Sequence, residues 1–388
     1  MRHYSDIAFA VLRLAKRWKN FGNDAEGKMK GGGNEALALP GAWLDESVNG
    51  EFKAVYDMLE ASAGSGAGGF VIKSRLFKNF YIVPGEITMS RKHPVIAVTG
   101  SSGAGTSTVK RAFENIFRRE KIAAAIIEGD SMHSLDRMAF RAAVAEAAKA
   151  GDFSFSHFGP EANHFDKIEE TFKVYGETGT SRRRYYVHSE DEAVLHNKHF
   201  GLTDLKPGQF TPWEDIEANS DLLFYEGLHG LATDGSIDAG KYVDLGIGVV
   251  PVVNLEWIQK IHRDKEERGY SAEATVDTIL RRMPDYVKYV TPQFSRTHIN
   301  FQRVATVDTS NPFVSRDIPT LDESFVVIRF NKHILQSHFI DFRYYLSMIH
   351  DSFMSRPNTL VVPGGKMSFA MEIILTPILH EMIEKKKL

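Results

Sequence analysis

The sequence predicts an α/β fold: a mixed, mostly parallel sheet with helices on both faces, of the P-loop NTPase type. Three observations predict it. Short apolar runs alternate with amphipathic helical stretches. One such run is followed by a glycine-rich loop that opens a helix, Gly100-Ser-Ser-Gly-Ala-Gly-Thr-Ser-Thr108. Polar and acidic residues gather just after the apolar runs, where open α/β sheets place ligands.

Taken in order, Val95-Ile96-Ala97-Val98 is a buried-strand run ending at Thr99-Gly100, and Ser107 to Arg119 reads as a helix. Ala123 to Ile127 is a second strand, ending at Glu128-Gly129-Asp130. Leu222-Leu223-Phe224-Tyr225 is a third, ending at Glu226-Gly227. Leu245 to Val253 is a fourth, running into a helix from Leu255 to Arg268 that Gly269 terminates. Val326 to Phe330 and Leu360 to Val362 follow as strands, and Met367 to Lys385 as a closing helix. Pro284 should kink or shorten the helical pattern Glu273–Val290.

The first 88 residues differ from the rest. They hold 12 of the 31 glycines, including Gly31-Gly32-Gly33 and the run Gly64 to Gly69. That composition reads as linker. The helical patterns Ile7–Trp18 and Glu51–Ala61 carry too few apolar positions for a core. Gly85-Glu86 can be encoded by a purine-rich stretch resembling a bacterial ribosome-binding site, just ahead of Met89. The expected organisation is therefore an extension, 1–88, that is not translated naturally, and a catalytic domain, 89–388, starting at Met89.

Composition narrows the function. The chain of 388 residues has no cysteine, which excludes disulfides, thiolate metal sites and a cysteine nucleophile. Its net charge of −3 gives no general field toward nucleic acid or an anionic membrane. No apolar run reaches the roughly 20 residues that span a bilayer. The expectations are a cytoplasmic protein with no nucleic-acid partner and no membrane partner.

The glycine-rich loop has the layout G-x-x-x-x-G-K-[ST], with Gly100, Gly105 and Ser107 in register. In such a loop the backbone N–H groups of Gly100, Ser101, Ser102, Gly103, Ala104, Gly105, Thr106, Ser107 and Thr108 wrap a phosphate chain, and the helix adds its positive end. The lysine slot holds Thr106 instead. Ser107 is placed to ligate Mg²⁺, and Glu226, at a strand end, is placed as a Walker-B acid. Asp130 projects at the same edge, followed by His133, Arg137 and Arg141. One carboxylate among cations suits a sugar phosphate, the cations taking the phosphate and the carboxylate a hydroxyl proton. Lys260, Arg263 and Asp264 share one helix side with Arg268 nearby, either a charge-paired surface or a lid lysine replacing the missing one. Arg182-Arg183-Arg184 with Tyr185, Tyr186 and His188 is too small a basic cluster to argue for RNA.

Together these segments resemble phosphoribulokinases of the cysteine-free bacterial type. The resemblance rests on GSSGAGTSTV (100–109), IEGDSMH (127–133), FSHF (155–158), YGETG (175–179), FYEGLHG (224–230), NLEWIQKIHRD (254–264) and NFQRVATVDTSNPF (300–313), in the family's order. It implies transfer of phosphate from ATP, with Mg²⁺, to the C1 hydroxyl of D-ribulose 5-phosphate, the step of the Calvin cycle that makes the CO₂ acceptor. It further implies that Asp130 is the base, that Glu226 is the second acid, and that Lys260, Arg263 and Asp264 serve catalysis. His133, Arg137, Arg141, Arg184, Tyr186, His188 and Arg268 fall on sugar-phosphate positions. Bacterial members are homo-oligomers, typically octamers, activated by NADH and inhibited by AMP, with Arg119, Arg329 and Arg356 at the effector positions. The segment Asn331 to Phe342 departs in length from the family's effector region. Uridine or pantothenate kinase chemistry, and a regulatory module without catalysis, are the competing readings.

Overall fold

Val95 to Val98 are fully buried, as a strand covered on both faces requires. They begin β1 (Val95–Gly100), the centre of the sheet. The computed structural model describes residues 93–388, apart from 102–104, 316, 339 and 387–388 and the side chains of 106, 107, 267, 268, 385 and 386. The 1–88 extension, its two helical patterns, Met89, and the loop residues Ser102, Gly103 and Ala104 lie outside the described residues.

After β1 come α1 (Thr106–Glu120), β2 (Ala124–Glu128), α2 (Arg137–Lys149), α3 (Phe165–Thr178), β3 (Arg182–Arg183), α4 (Glu190–Phe200) and β4 (Glu214–Asp215). Then follow β5 (Leu222–Gly227), β6 (Thr233–Asp234), β7 (Ile237–Asp238), β8 (Leu245–Val249), α5 (Val253–Arg268) and α6 (Ala272–Asp285). The last third holds β9 (Ile299–Ala305), β10 (Ser324–Phe330), α7 (Lys332–Ser337), α8 (Phe342–Met348), β11 (Phe353–Arg356), β12 (Thr359–Pro363) and α9 (Met367–Lys386).

Eight strands form one sheet in the order β11-β12-β10-β9-β8-β1-β5-β2. From β2 to β9 the neighbours are parallel; β10, β12 and β11 add on antiparallel. The mixed, mostly parallel sheet is therefore as the sequence predicts. Period-2 alternation splits β1 between two cores. Ile96 and Val98 pack with Val109, Phe113 and Ile116 of α1 and with Met371, Ile374 and Ile378 of α9. Val95 and Ala97 pack with Phe165, Ile168 and Phe172 of α3 on the other face.

Two prolines set boundaries: one strand ends four residues before the sequence reading has it, and the helical pattern is shortened at Pro284 as expected. β8 ends at Val249 rather than Val253. Pro251 has no N–H for a ladder, so Val250 makes the last strand-like bond, to the Phe301 carbonyl at 2.8 Å, and α5 starts at Val253. Past Pro284 the regular helix ends at Asp285 and continues as a π turn over Tyr286–Val290. Gly269 closes α5 in the left-handed conformation, φ 66°.

Candidate active site at the carboxyl edge of the sheet

β1, β2 and β5 end side by side, and their register sets the site. Val98 pairs with Glu226 across β1 and β5, and Glu128 pairs with the same Glu226 across β2 and β5. Two carboxylates thus lie next to each other beside the phosphate loop, in which Gly105 caps α1 with φ +97°, a left-handed conformation favouring glycine. Lys110, one turn into α1, pairs with Glu128. Burial works against its charge, but Glu128, Glu226 and Glu114 outweigh burial and hold the ammonium above its usual range. The sequence reading missed Lys110 and Glu128.

Past these acids the chains come into backbone contact. A Cβ on Gly129 would lie 2.7 Å from Gly227 Cα, and one on Gly227 would lie 2.6 Å from Gly129 Cα. The two Glu-Gly steps therefore need glycine, and their closeness sets the turn Gly129–Met132, with Asp130, against the end of β5. Asp130 is half-exposed, with 49% of its side chain open. His133 Nε2 lies 3.4 Å from Asp130 Oδ1, and His188 Nε2 lies 3.9 Å from Asp130 Oδ2. His133 Nδ1 lies 2.7 Å from the Asn163 Oδ1, which accepts there, while the Asn163 amide N–H groups go to the His157 and Gly159 carbonyls. Burial pulls the His133 imidazole down, but the hydrogen bond to Asp130 and its charge outweigh burial and leave the pKa raised.

Arg137 and Arg141 lie exposed on the first turns of α2, which Asp136 caps by accepting the Ala139 N–H at 2.8 Å. Arg137 Nε donates to the Tyr186 hydroxyl at 3.3 Å, and the Tyr186 and His188 rings meet at 5.0 Å. Asp130, His133, Arg137, Tyr186 and His188 are thus joined contact by contact. Arg184 is close to them, but its hydrogen bonds run to the carbonyls of Ser131 and His133.

The lid cluster is not a solvated face. Asp264, 3% exposed, receives Lys260 Nζ at 2.5 Å and Arg263 Nη2 at 3.5 Å. Burial and the Arg282 charge push Lys260 down to about 8 although Asp264 opposes them. Glu256, a turn earlier, is buried and accepts the Tyr286 hydroxyl at 3.0 Å, with the Ser101 hydroxyl also acting on it. Burial raises its pKa against these partners and the Lys260 and Arg263 charges. Desolvation lowers the His157 imidazole well below the ordinary value, and the charges of Arg282, His133 and Lys260 act in the same direction. A cleft of about 80 Å³ beside the loop is lined by Gly105, Thr108, Val252, Glu256 and Arg303 among others. The side chains of Thr106, Ser107 and Arg268 are outside the described residues.

Sequence reasoning also missed Arg282 and Gln293. Gln293 is buried; its amide donates to the Leu228 and Tyr289 carbonyls, and its oxygen accepts the Thr99 hydroxyl and the Leu231 N–H. It thereby locks the end of β1 to the loop after Glu226. Three of its four partners lie more than 60 residues away along the chain, where a sequence gives no signal of them.

The arginines at effector positions fall in two places. Arg329 and Arg356 both pair in register with Thr359. Arg119, at the end of α1, bonds Glu120, Glu372 and the Thr376 hydroxyl. Its hydrogen bonds to the Glu120 and Glu372 carboxylates raise its pKa.

Residues 95–310 match the phosphoribulokinase / uridine kinase family. The chain belongs to that family. Over 299 residues, 77% of this chain and 99% of the relative, it is 58% identical to the chromosomal phosphoribulokinase of Cupriavidus necator. It is 57% identical to the phosphoribulokinase of Nitrobacter vulgaris with the same coverage. The solved phosphoribulokinase from Rhodobacter spheroides superposes with a TM-score of 0.68 at 51% identity, covering 77% of this chain and all of that one. For a family of ATP-dependent kinases the acids fit the metal expected: a hard divalent cation takes oxygen donors, and the paired Glu128 and Glu226 at adjoining strand ends supply them. Among the described residues no helix is long and apolar enough to cross a membrane.

Proposed function

We propose that this chain transfers the γ-phosphate of ATP to the C1 hydroxyl of D-ribulose 5-phosphate, giving ribulose 1,5-bisphosphate and ADP. The observation that carries the reading is the 57–58% identity, over nearly the whole length of those relatives, to proteins named phosphoribulokinase. The geometry supplies the parts. Asp130 is accessible and flanked by two imidazoles, so its carboxylate can accept the C1 hydroxyl proton as that oxygen bonds to phosphorus and the bridging oxygen departs with ADP. Arg137 and Arg141, with His133, Tyr186 and His188 around the acceptor, take the 5-phosphate and the sugar hydroxyls, and the sequence reading adds Arg268 to them. Lys260 and Arg263, held by Asp264, stabilise charge on the transferring group. Thr106 leaves the loop without its usual lysine, and Lys260 is the buried cation available to replace it. Mg²⁺ would be held by Glu226 and Ser107 and supplies charge neutralisation over the β- and γ-phosphates.

The catalytic unit runs from 89 to 388, with Met89 as the natural start. A span of 300 residues against the 299 aligned with relatives supports this. The enzyme works in the cytoplasm as an octamer activated by NADH, with Arg119, Arg329 and Arg356 taking the effector; the register that brings Arg329 and Arg356 to one threonine supports a shared anion site.

A coupled ADP-release assay with ATP, Mg²⁺ and ribulose 5-phosphate tests the reading, run on the full chain and on a chain begun at Met89, with and without NADH. Turnover that requires ribulose 5-phosphate is expected. Turnover with a nucleoside or pantothenate instead, or nucleotide binding without turnover, overturns it. Light scattering reads the oligomer, and N-terminal sequencing of the native protein reads the start.

A further inference from the structure

Arg184 is a cation of the site whose side-chain hydrogen bonds run to backbone carbonyls. Its Nε donates to the Ser131 carbonyl at 2.8 Å and its Nη2 to the His133 carbonyl at 2.6 Å. Those carbonyls bracket Met132, which is 1% exposed, and they close the turn that carries Asp130 and leads into His133. Aromatic rings flank the guanidinium: the Phe210 centroid is 3.8 Å from its carbon and the Trp213 centroid 4.8 Å. Among the described residues no carboxylate hydrogen-bonds to it, and burial brings its pKa down to about 10, still charged at neutral pH. The Nε and one Nη2 N–H of Arg184 are given to backbone and its plane lies against two rings, whereas Arg137, on the neighbouring helix, is exposed and its side chain donates to a tyrosine hydroxyl.

We infer that Arg184 is a positioning residue: its fork grips the Ser131 and His133 carbonyls and so fixes where Asp130 and His133 meet the acceptor hydroxyl, and it does not bind the sugar phosphate. The inference rests on the reading of Asp130 as the base. The fork matters because arginine can donate two parallel bonds from one plane while that plane stacks on a ring. A lysine at the same place offers a compact ammonium that cannot span both carbonyls or stack flat on Phe210. Misplacing a reacting group by about 1 Å costs on the order of 100-fold in rate, and that is the scale expected here.

The test uses the full chain with Arg184→Ala and Arg184→Lys, measuring kcat and the KM for ribulose 5-phosphate and ATP separately. Both variants should lose on the order of 100-fold in kcat, with both KM values within about threefold of the parent. Millimolar guanidinium should restore at least about tenfold of the alanine variant's kcat, and methylammonium at equal ionic strength should not. A merely structural residue would lower kcat and stability together and would show no selective guanidinium rescue. Should the alanine variant fail to fold, as read by circular dichroism, the lysine variant alone decides. A rise of about tenfold or more in the KM for ribulose 5-phosphate with kcat kept would make Arg184 a phosphate ligand, and full activity of the lysine variant would also overturn the inference. Asp130→Asn, run beside them, separates the two failures: if it retains turnover, the base is misassigned whatever Arg184 does.

Discussion

Asp130 and Asp264 are both carboxylates beside cations, and the two regions use them in opposite ways. Asp130 stands on a turn beyond β2, half-exposed, with imidazoles at 3.4 and 3.9 Å. Asp264 lies inside α5, 3% exposed, with an ammonium at 2.5 Å and a guanidinium at 3.5 Å. A carboxylate holding two cations out of water is a poor proton acceptor, because protonating it would strand both charges. One region keeps a base open to a substrate; the other keeps cations in place. Spacing alone did not separate them, since Asp130 is followed by His133 and Arg137 and Asp264 follows Lys260, all at helical intervals.

The largest effect that could break this contrast is at Asp130. Asp130→Asn should lower kcat by about 10³- to 10⁴-fold with KM nearly unchanged, because the proton acceptor acts in the transition state. A loss confined to KM would assign Asp130 to binding instead. Next is Lys260. It is charged below about 8 and neutral above it, so the rate should fall as pH rises through that value. Lys260→Met should cost about 10²- to 10³-fold in kcat. Lys260→Arg should retain part of the rate and move the alkaline limb up, because arginine stays charged. A limb that stays near 8 in the arginine variant means that another group titrates there.

The contrast also depends on the turn that presents Asp130. Gly129→Ala forces a methyl to within 2.7 Å of Gly227 Cα. Backbone cannot yield there as a flexible side chain would, so about 1–3 kcal/mol of stability should be lost, read as a lowered Tm together with reduced kcat. An unchanged Tm would mean that the two strands separate easily. The smallest effect belongs to Arg137. Arg137→Ala should raise the KM for ribulose 5-phosphate about tenfold and leave kcat within about twofold, the mark of a ligand that binds substrate and transition state alike.

The parallel core was legible because strands buried on both faces read as unbroken apolar runs, and Val95 to Val98 or Leu222 to Tyr225 had few other interpretations. The antiparallel edge was less so: β11 has mixed burial and an irregular register between Met354 and Arg356. Asp130 and Glu226 could be found because they end such runs. Arg184 could be located but its partners could not, since a sequence does not show whether a cation meets a phosphate or a backbone carbonyl. Gln293 and Arg282 act across long stretches of chain, and nothing in their neighbours marks them. Asp264 needed burial to be told from a surface charge pair.

The last helix has a consequence for how the chain is made. α9 packs on α1, the helix that follows the phosphate loop, and its Met371, Ile374 and Ile378 fill the same core as Val109 and Phe113. β1, near the start of the sheet's sequence, pairs with strands that begin more than 120 residues later. Contacts so distant along the chain close late, after a large loop entropy has been overcome. On the ribosome, the face of the central strands that α1 covers only in part therefore waits for residues 367–386, and during that interval the nascent sheet is a natural client for chaperones.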